Sequence, residues 1–75
     1  MVYNICLLEH GLLRQHEKIN DRHVEELVCQ IAQDGCVRDP IIVDKRTLII
    51  LDGHHRFNAL KKLGLVRIPV CLCRL

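Results

Sequence analysis

The chain has 75 residues, 49% of them hydrophobic, with 11 Lys and Arg against 9 Asp and Glu. This length accommodates one core that supplies only a few kcal/mol, so we predict a single domain over residues 1–75, stabilised further by a ligand, a homodimer partner or a crosslink. The formal charge of +2 excludes a polybasic nucleic-acid module, and any basic function must therefore be local.

The first half of the chain predicts a strand and a helix. Residues 2–8 form an apolar, β-rich run, and residues 12–18 predict a turn of helix followed by a loop. From Asp21 onward, apolar residues recur at the i, i+3, i+4 and i+7 spacing of a helix. These residues are Val24, Leu27, Val28 and Ile31. Asn20 or Asp21 can cap this helix, and Gly35 supplies a left-handed stop.

The second half predicts a hairpin, a helix and a last strand. Residues 41–43 and 48–51 are apolar runs joined by a polar turn, and the second run is expected to be buried on both faces. Apolar residues then recur at helical spacing as far as Gly64. Residues 66–72 alternate, with Val66, Ile68, Val70 and Leu72 on one face, and Pro69 predicts an edge strand or a bulge. These elements predict an α+β fold with a mixed sheet of about four strands and two main helices.

The chemistry concentrates where the buried run turns into the second helix, at Asp52, Gly53, His54, His55 and Arg56. The first amides of a helix lack intrahelical partners and face the positive end of the dipole, which favours phosphate oxygens. Gly53 lets a ligand approach the backbone, and the histidines and Arg56 add donors. Asp52 would repel phosphate unless it caps the helix or binds a divalent cation.

A structural interpretation of this segment stays open on spacing alone. Asp52 would then cap the helix, and the two histidines would be surface residues. Three consecutive potential cations, at positions 54–56, argue against this interpretation. Each would destabilise the helix by about 0.3–1 kcal/mol at an N-terminus that binds no anion. His10 and His23 are most simply solvated, and the histidines do not form a metal-ligand set.

The segment from Leu51 to Gly64, with Ile68-Pro69-Val70 after it, resembles the phosphate-binding signature of the ParB/sulfiredoxin superfamily. The upstream half also fits the pattern, with a first strand, then His16-Glu17, then a helix that ends before Gly35, so the resemblance covers nearly the whole chain. It implies a small ParB/sulfiredoxin-like domain.

Single residues decide which branch the chain is closest to. Sulfiredoxins need a cysteine just after the motif glycine, where this chain has His54, so sulfinic reductase activity is not expected. Chromosome-partitioning ParB proteins carry a Gly-Glu-Arg-Arg type motif and a helix-turn-helix region, and the chain has neither. ADP-dependent free-serine kinases carry the Asp-Gly-His-His-Arg form and an upstream His-Glu, which match Asp52–Arg56 and His16-Glu17.

The resemblance implies a role for each site residue. Glu17 would accept the proton of an acceptor hydroxyl, and Asp52 would assist it or position metal and phosphate. Gly53, His54, His55 and Arg56 would hold the diphosphate. The implied cofactors are ADP or ATP with Mg²⁺, and the implied acceptor is a small hydroxyl compound such as serine. Glu17 on its own would be interpreted as a solvated loop residue.

Other functions remain open at this stage. The free-serine kinases carry a long extra segment that the chain lacks, which leaves a minimal ATPase or a ParB-like DNA- or protein-binding module as alternatives. Lys61, Lys62 and Arg67 could contact nucleic acid, although lysines there also complement the helix dipole. No run is long enough to cross a bilayer and the start lacks signal-peptide features, so a cytoplasmic location is expected.

The five cysteines do not predict a disulfide framework, because their number is odd and their spacing irregular. Cys6, Cys29 and Cys36 lie among apolar residues and are expected to fill the core. Cys71 and Cys73 would face the same side of a strand, which favours burial over a metal site.

Overall fold

The structure of the protein is a computed structural model, which describes residues 5–16, 18–35 and 39–74. The helices are α1 (Asp21–Asp34) and α2 (His54–Lys62). The strands are β1 (Ile5–Glu9), β2 (Ile41–Asp44), β3 (Ile50–Asp52) and β4 (Arg67–Cys73). A short 3₁₀ helix, His10–Leu12, follows β1 and lies earlier in the chain than the helical turn predicted over 12–18.

The strands form one mixed sheet in the order β1-β4-β2-β3. β1 pairs antiparallel with β4, β2 pairs parallel with β4, and β2 and β3 form the predicted antiparallel hairpin. The parallel pair needs a crossover connection, and α2 lies within it. The predicted α+β architecture of four strands and two main helices is therefore confirmed.

Of the two positions that Pro69 predicts for the last strand, an edge or a position next to a bulge, the edge is wrong, because β4 lies inside the sheet between β1 and β2. Pro69 is tolerated there by the register. It lies opposite Leu7 of β1, and the parallel pairing with β2 begins one residue later, at Ile41 opposite Val70. Val66 precedes the strand and is exposed, so it does not share the buried face.

Burial of residues 48–51 on both faces is also wrong, because β3 is an edge strand. Ile50 is fully buried, but Leu51 is only partly buried and Asp52 is exposed. Leu48 lies in the turn before β3 with a positive φ of 61°. Arg14 lies beside the start of β3 and makes two backbone hydrogen bonds, each 2.9 Å long. The Arg14 N–H donates to the Leu48 carbonyl, and the Arg14 carbonyl accepts from the Ile50 N–H.

Helix α1 begins and ends as its sequence predicts. The Asn20 side chain accepts hydrogen bonds from two backbone amides of the first turn, and Gly35 adopts the left-handed conformation with φ of 69°. Glu25 of α1 contacts Lys62 of α2 as an ion pair. This hydrogen bond from Lys62 raises the pKa of its ammonium group. The two helices are thus joined at the C-terminal end of α2.

The core lies between α2 and one face of the sheet. Phe57 and Leu60 of α2 pack with alternate residues of the strands, all of which are fully buried. These strand residues are Ile41, Val43, Ile50, Ile68 and Val70. Leu13 completes the cluster from the segment before α1. Burial of this kind stabilises a fold by about 25 cal/mol per Å² of apolar surface.

The described cysteines are free thiols that differ in exposure. Cys71 is buried, and this burial raises the pKa of its thiol, with neighbouring Cys73 adding to the effect. Cys6 is partly buried against the core, as expected. Cys29 is exposed on α1, which corrects the prediction that it fills the core, and Cys36 lies outside the described residues. In the described part of the chain, no helix has the length and apolar content needed to cross a membrane.

Candidate functional site

The backbone at the β3–α2 junction requires glycine at position 53. Gly53 has a φ of 96° and a ψ of 27°, in the left-handed region that side-chain-bearing residues rarely adopt. A Cβ there would lie 3.3 Å from Cγ1 of Ile41 and 3.4 Å from Nη1 of Arg56. The glycine thus turns the chain sharply from the sheet into the helix while the turn stays in contact with β2.

No side chain at the junction caps α2. The first bond of its helical ladder runs from the Phe57 N–H to the Gly53 carbonyl at 2.8 Å, so the amides at positions 54–56 precede the ladder. The N-cap residue is Gly53, which has no side chain that could accept these amides. The exposed Asp52 carboxylate makes no hydrogen bond to any described residue. The alternative in which Asp52 merely caps the helix therefore has no support in the described geometry.

The two histidines of the motif occupy different surroundings, as expected for adjacent helical positions. His54 is buried, with 4% of its surface exposed, and its ring lies edge-on to His16 with the centroids 4.9 Å apart. His55 is partly buried and lies edge-on to His23 at 4.7 Å. The start of α2 therefore contacts the segment before α1 through one histidine and α1 itself through the other.

His55 also accepts a hydrogen bond from the backbone of the α1 N-cap. Its Nε2 lies 2.9 Å from the backbone nitrogen of Asn20, which donates. An imidazole nitrogen that accepts a hydrogen bond carries no hydrogen itself, so the ring hydrogen of neutral His55 lies on Nδ1. Next to it, the Asn58 side chain donates to the Gln15 side chain at 2.6 Å and to the His54 carbonyl at 2.7 Å. Gln15 and Asn20 are thereby held against the first turns of α2.

The Arg56 guanidinium links α2 to the residues that open β2. Its Nη1 donates to the backbone carbonyls of Asp39 and Pro40, each at 3.2 Å. A guanidinium has five N–H donors, and these two bonds leave its Nε and Nη2 groups without an acceptor in the described part of the chain. Arg56 thus combines a structural role with donors that remain for a ligand.

Two neighbouring cavities open at the junction. The first has a volume of about 240 Å³ and is lined by Asp52, Gly53, His54, His55, Arg56 and His23, with Leu27 beside them. The second, of about 520 Å³, has a more apolar wall that includes Ile5, Pro40 and Ile42. The arrangement places a polar cavity next to a less polar one, with the Asp52 carboxylate and the Arg56 guanidinium lining both.

The described residues contain no group of three or more His, Cys, Asp or Glu that is able to hold a metal ion. Asp52 is a single exposed carboxylate at the rim of both cavities. Mg²⁺ is commonly held by one or two carboxylates together with substrate phosphates and water. The donor set therefore fits a magnesium ion that arrives with a phosphate-bearing ligand.

The structure brings together five of the six site residues that the sequence singles out, since Asp52 to Arg56 line one cavity. The sixth, Glu17, lies outside the described residues. His23 is solvated as the sequence predicts, but its place beside the cavity is not predicted by the sequence. Its side chain is 52% exposed, yet it lines the cavity and contacts His55. No local signal marks this position, because the contact depends on how α1 packs against α2.

Comparison with known proteins identifies relatives across the whole domain. The family model of the ParB N-terminal domain matches residues 3–75. The chain is 43% identical over 60 residues to a ParB-like protein of Sulfolobus acidocaldarius, a match that covers 80% of the chain and 30% of that protein. It is 39% identical over 69 residues to an ATP-dependent L-serine kinase of Desulfurococcus mucosus, covering 84% of the chain and 26% of the kinase.

Solved structures give the same relationship. A free serine kinase in complex with AMP superposes with a TM-score of 0.82 at 27% identity, covering 95% of the chain and 30% of the kinase. Sulfiredoxin from Arabidopsis thaliana superposes with a TM-score of 0.81 at 27% identity, covering 96% of the chain and 86% of sulfiredoxin. A free serine kinase with a glutamate-to-alanine substitution, in complex with ADP, has a TM-score of 0.82 at 25% identity and 95% coverage of the chain. The chain spans about 30% of the length of these kinases.

Proposed function

The chain belongs to the family of ParB N-terminal domains, and we propose that it binds the phosphates of ADP or ATP at the start of α2 and transfers the terminal phosphoryl group to a small hydroxyl compound such as L-serine. The observation that carries this proposal is the uncapped N-terminus of α2, which opens into a cavity lined by His54, His55 and Arg56. Such an arrangement supplies amide donors, a favourable dipole, imidazole groups and a guanidinium cation to one anion.

The phosphate groups would be held by backbone and side chains together. The amides at positions 54–56 precede the helical ladder, and the Nε and Nη2 groups of Arg56 match the planar geometry of two phosphate oxygens. The bonds from Nη1 to the Asp39 and Pro40 carbonyls fix the direction of this side chain before the ligand arrives. Preorganised donors of this kind carry most of the catalysis in phosphoryl transfer.

The transfer itself needs an acceptor for the proton of the hydroxyl group. In the proposed step the hydroxyl oxygen forms a bond to the terminal phosphorus as the bond to the bridging oxygen breaks, and the nucleotide leaves one phosphate shorter. Glu17 would take the proton, since a carboxylate suits this role. Its neighbour in the sequence, His16, contacts His54 in the site. Asp52 would hold Mg²⁺, which would neutralise part of the phosphate charge when it is bound.

The relatives support the nucleotide-binding, kinase-like part of this proposal. The Desulfurococcus relative is named an ATP-dependent L-serine kinase, and the similar free serine kinase structures contain AMP or ADP. The chain corresponds to about a quarter to a third of those proteins. These relatives support our proposal that this domain binds nucleotide, and the choice of acceptor is the part of the proposal that depends most on segments the kinases have in addition.

A second candidate is a nucleotide-binding module without transferase activity, which the similarity to a ParB-like protein favours. In such a module the phosphate site would serve regulation. Nucleic-acid binding through Lys61 and Lys62 has less support. Lys62 is paired with Glu25, and the Lys61 ammonium lies 5.2 Å from the centre of the Phe57 ring. Both lysines thus already have intramolecular partners.

Incubation of the full chain with ADP or ATP, Mg²⁺ and L-serine tests the proposal, with phosphoserine detected by mass spectrometry and nucleotide binding measured by calorimetry. We expect binding and phosphoserine formation. Binding without turnover would assign the domain to the regulatory module, and hydrolysis of ATP without an acceptor would assign it as an ATPase. Absence of binding at millimolar nucleotide would reject the phosphate site itself.

A further inference from the structure

We infer that His23 of α1 is a further phosphate-binding residue, which completes from α1 the nucleotide site at the start of α2. This inference rests on the proposed function and adds to it a specific donor for the charged end of the ligand. Three observations support it: the position of His23 in the cavity wall, the state of the α1 N-terminus, and the groups that lie next to the imidazole ring.

The cavity of about 240 Å³ is built almost entirely by the β3–α2 junction, and His23 is its polar contribution from α1. Its side chain is 52% exposed, so a ligand in the cavity has access to it. The backbone N–H of His23 does not remain for a ligand, because it already donates a hydrogen bond to the Asn20 side-chain oxygen at 3.2 Å. The imidazole is therefore the group that α1 offers to an anion at this place.

Two groups lie next to the ring. His23 Nδ1 lies 4.0 Å from the Glu26 carboxylate, one helical turn further along α1. The ring also meets the His55 ring at 90°, with the centroids 4.7 Å apart. Because Nδ1 is the nitrogen near Glu26, Nε2 is the nitrogen that we assign to the ligand.

His55 fixes the helix that carries this donor. Its Nε2 accepts the Asn20 N–H, so the N-cap of α1 is attached to the first turn of α2. The position of His23 relative to Arg56 and to the amides of α2 is therefore set before a ligand binds. A preorganised donor contributes more to affinity than one that must be ordered during binding.

The inference predicts a selective effect on charged ligands. A donor that contacts phosphate adds affinity for pyrophosphate and ADP, whereas a residue that merely shapes the fold would change the affinity for adenosine as well. The loss of one hydrogen bond to a charged group corresponds to about a tenfold change in affinity.

Calorimetric titration of the full chain with pyrophosphate, ADP and adenosine tests this, using His23→Ala, His23→Gln and the control Gln30→Ala. Gln30 is exposed on α1 and does not line the cavity. We expect His23→Ala to weaken pyrophosphate and ADP binding about tenfold with adenosine unchanged. His23→Gln, which keeps an N–H donor, should recover part of the loss, and Gln30→Ala should match the wild type.

Each other result is decisive. Unchanged ADP and pyrophosphate affinity in His23→Ala would overturn the role of His23 and leave the proposed phosphate site intact. An equal loss for all three ligands would make His23 a structural residue. Failure of the wild-type chain to bind pyrophosphate or ADP would reject the proposed function, and the inference with it.

Discussion

The backbone N–H of Asn20 donates to Nε2 of His55 at 2.9 Å, across 35 positions of sequence. Asn20 also caps the N-terminus of α1 through its side chain. The same residue therefore begins α1 and contacts the first turn of α2. This relationship contributes to the assembly of the cavity at the β3–α2 junction, because it joins the element that carries His23 to the element that carries Arg56.

Replacement of His55 by alanine removes the acceptor of the Asn20 amide. We expect the free energy of unfolding to fall by about 0.5–1.5 kcal/mol, the usual contribution of one hydrogen bond. Urea denaturation followed by circular dichroism measures the change. His55→Gln, which supplies a side-chain oxygen as acceptor, should recover part of the loss. Equal stability of His55→Ala and wild type would mean that the bond does not hold the helices together.

Gly53→Ala tests the backbone at the junction. The variant must adopt a φ of 96° and place a Cβ 3.3 Å from Ile41, so we expect it to lose about 1–3 kcal/mol of stability and to bind nucleotide more weakly. Gly11→Ala is the matched control, because a Cβ there meets no atom within 4 Å and the φ is not positive. Thermal unfolding should separate the two variants, and similar midpoints would contradict the strain assigned to position 53.

The β2–β3 turn gives the fold an acid-sensitive contact. The Thr47 hydroxyl donates to the Asp44 carboxylate at 2.6 Å and holds the pKa of this carboxyl below its ordinary value of 3.8. Because the folded pKa is lowered, the stabilisation is fully present above about pH 3.8 and is lost as the pH falls through the folded pKa. The stability difference between wild type and Thr47→Val should therefore narrow below that pH. Denaturation at pH 7, 4 and 2.5 measures it, and a difference that widens in acid would contradict the assignment.

Arg56 and Glu17 should separate binding from transfer. Arg56→Ala removes a guanidinium that can donate hydrogen bonds to two phosphate oxygens, and we expect it to weaken nucleotide binding about tenfold or more. Glu17→Gln should leave binding intact and slow phosphoserine formation about a hundredfold, the contribution of a general base. Calorimetry and turnover assays on both variants check this division.

Two exposed positions provide controls for that pair. Arg46→Ala, in the β2–β3 turn, and Glu9→Gln, at the end of β1, change the same residue types away from the cavities. Both should behave as the wild type does. If Arg56→Ala and Glu17→Gln lose binding equally, the two roles are not separate.

Local sequence signals predicted most of the elements. The helical spacing after Asp21 and the flanking Asn20 and Gly35 define α1, because caps and amphipathic periodicity act within a few residues. The phosphate motif also lies in one continuous stretch, so that its five residues come together at one junction.

The features that were wrong or missed depend on distant partners. Pro69 indicates an edge when taken alone, but its cost in a central strand depends on where the pairing with β2 begins. The exposure of Asp52 and the partial burial of Leu51 follow from the edge position of β3, which the hairpin pattern does not reveal. The part played by His23 arises from the packing of α1 on α2. Strand order and helix packing are tertiary properties that periodicity does not encode.

A titration of the ¹⁵N-labelled chain with ADP and Mg²⁺, followed by amide chemical shifts, shows whether the first turn of α2 binds phosphate. We expect the largest shifts at the amides of positions 53–56 and smaller ones at Asn20 and His23, and we expect Arg56→Ala to reduce them. Shifts confined to other elements such as β1, or a spectrum unchanged at millimolar ADP, would contradict phosphate binding at this turn.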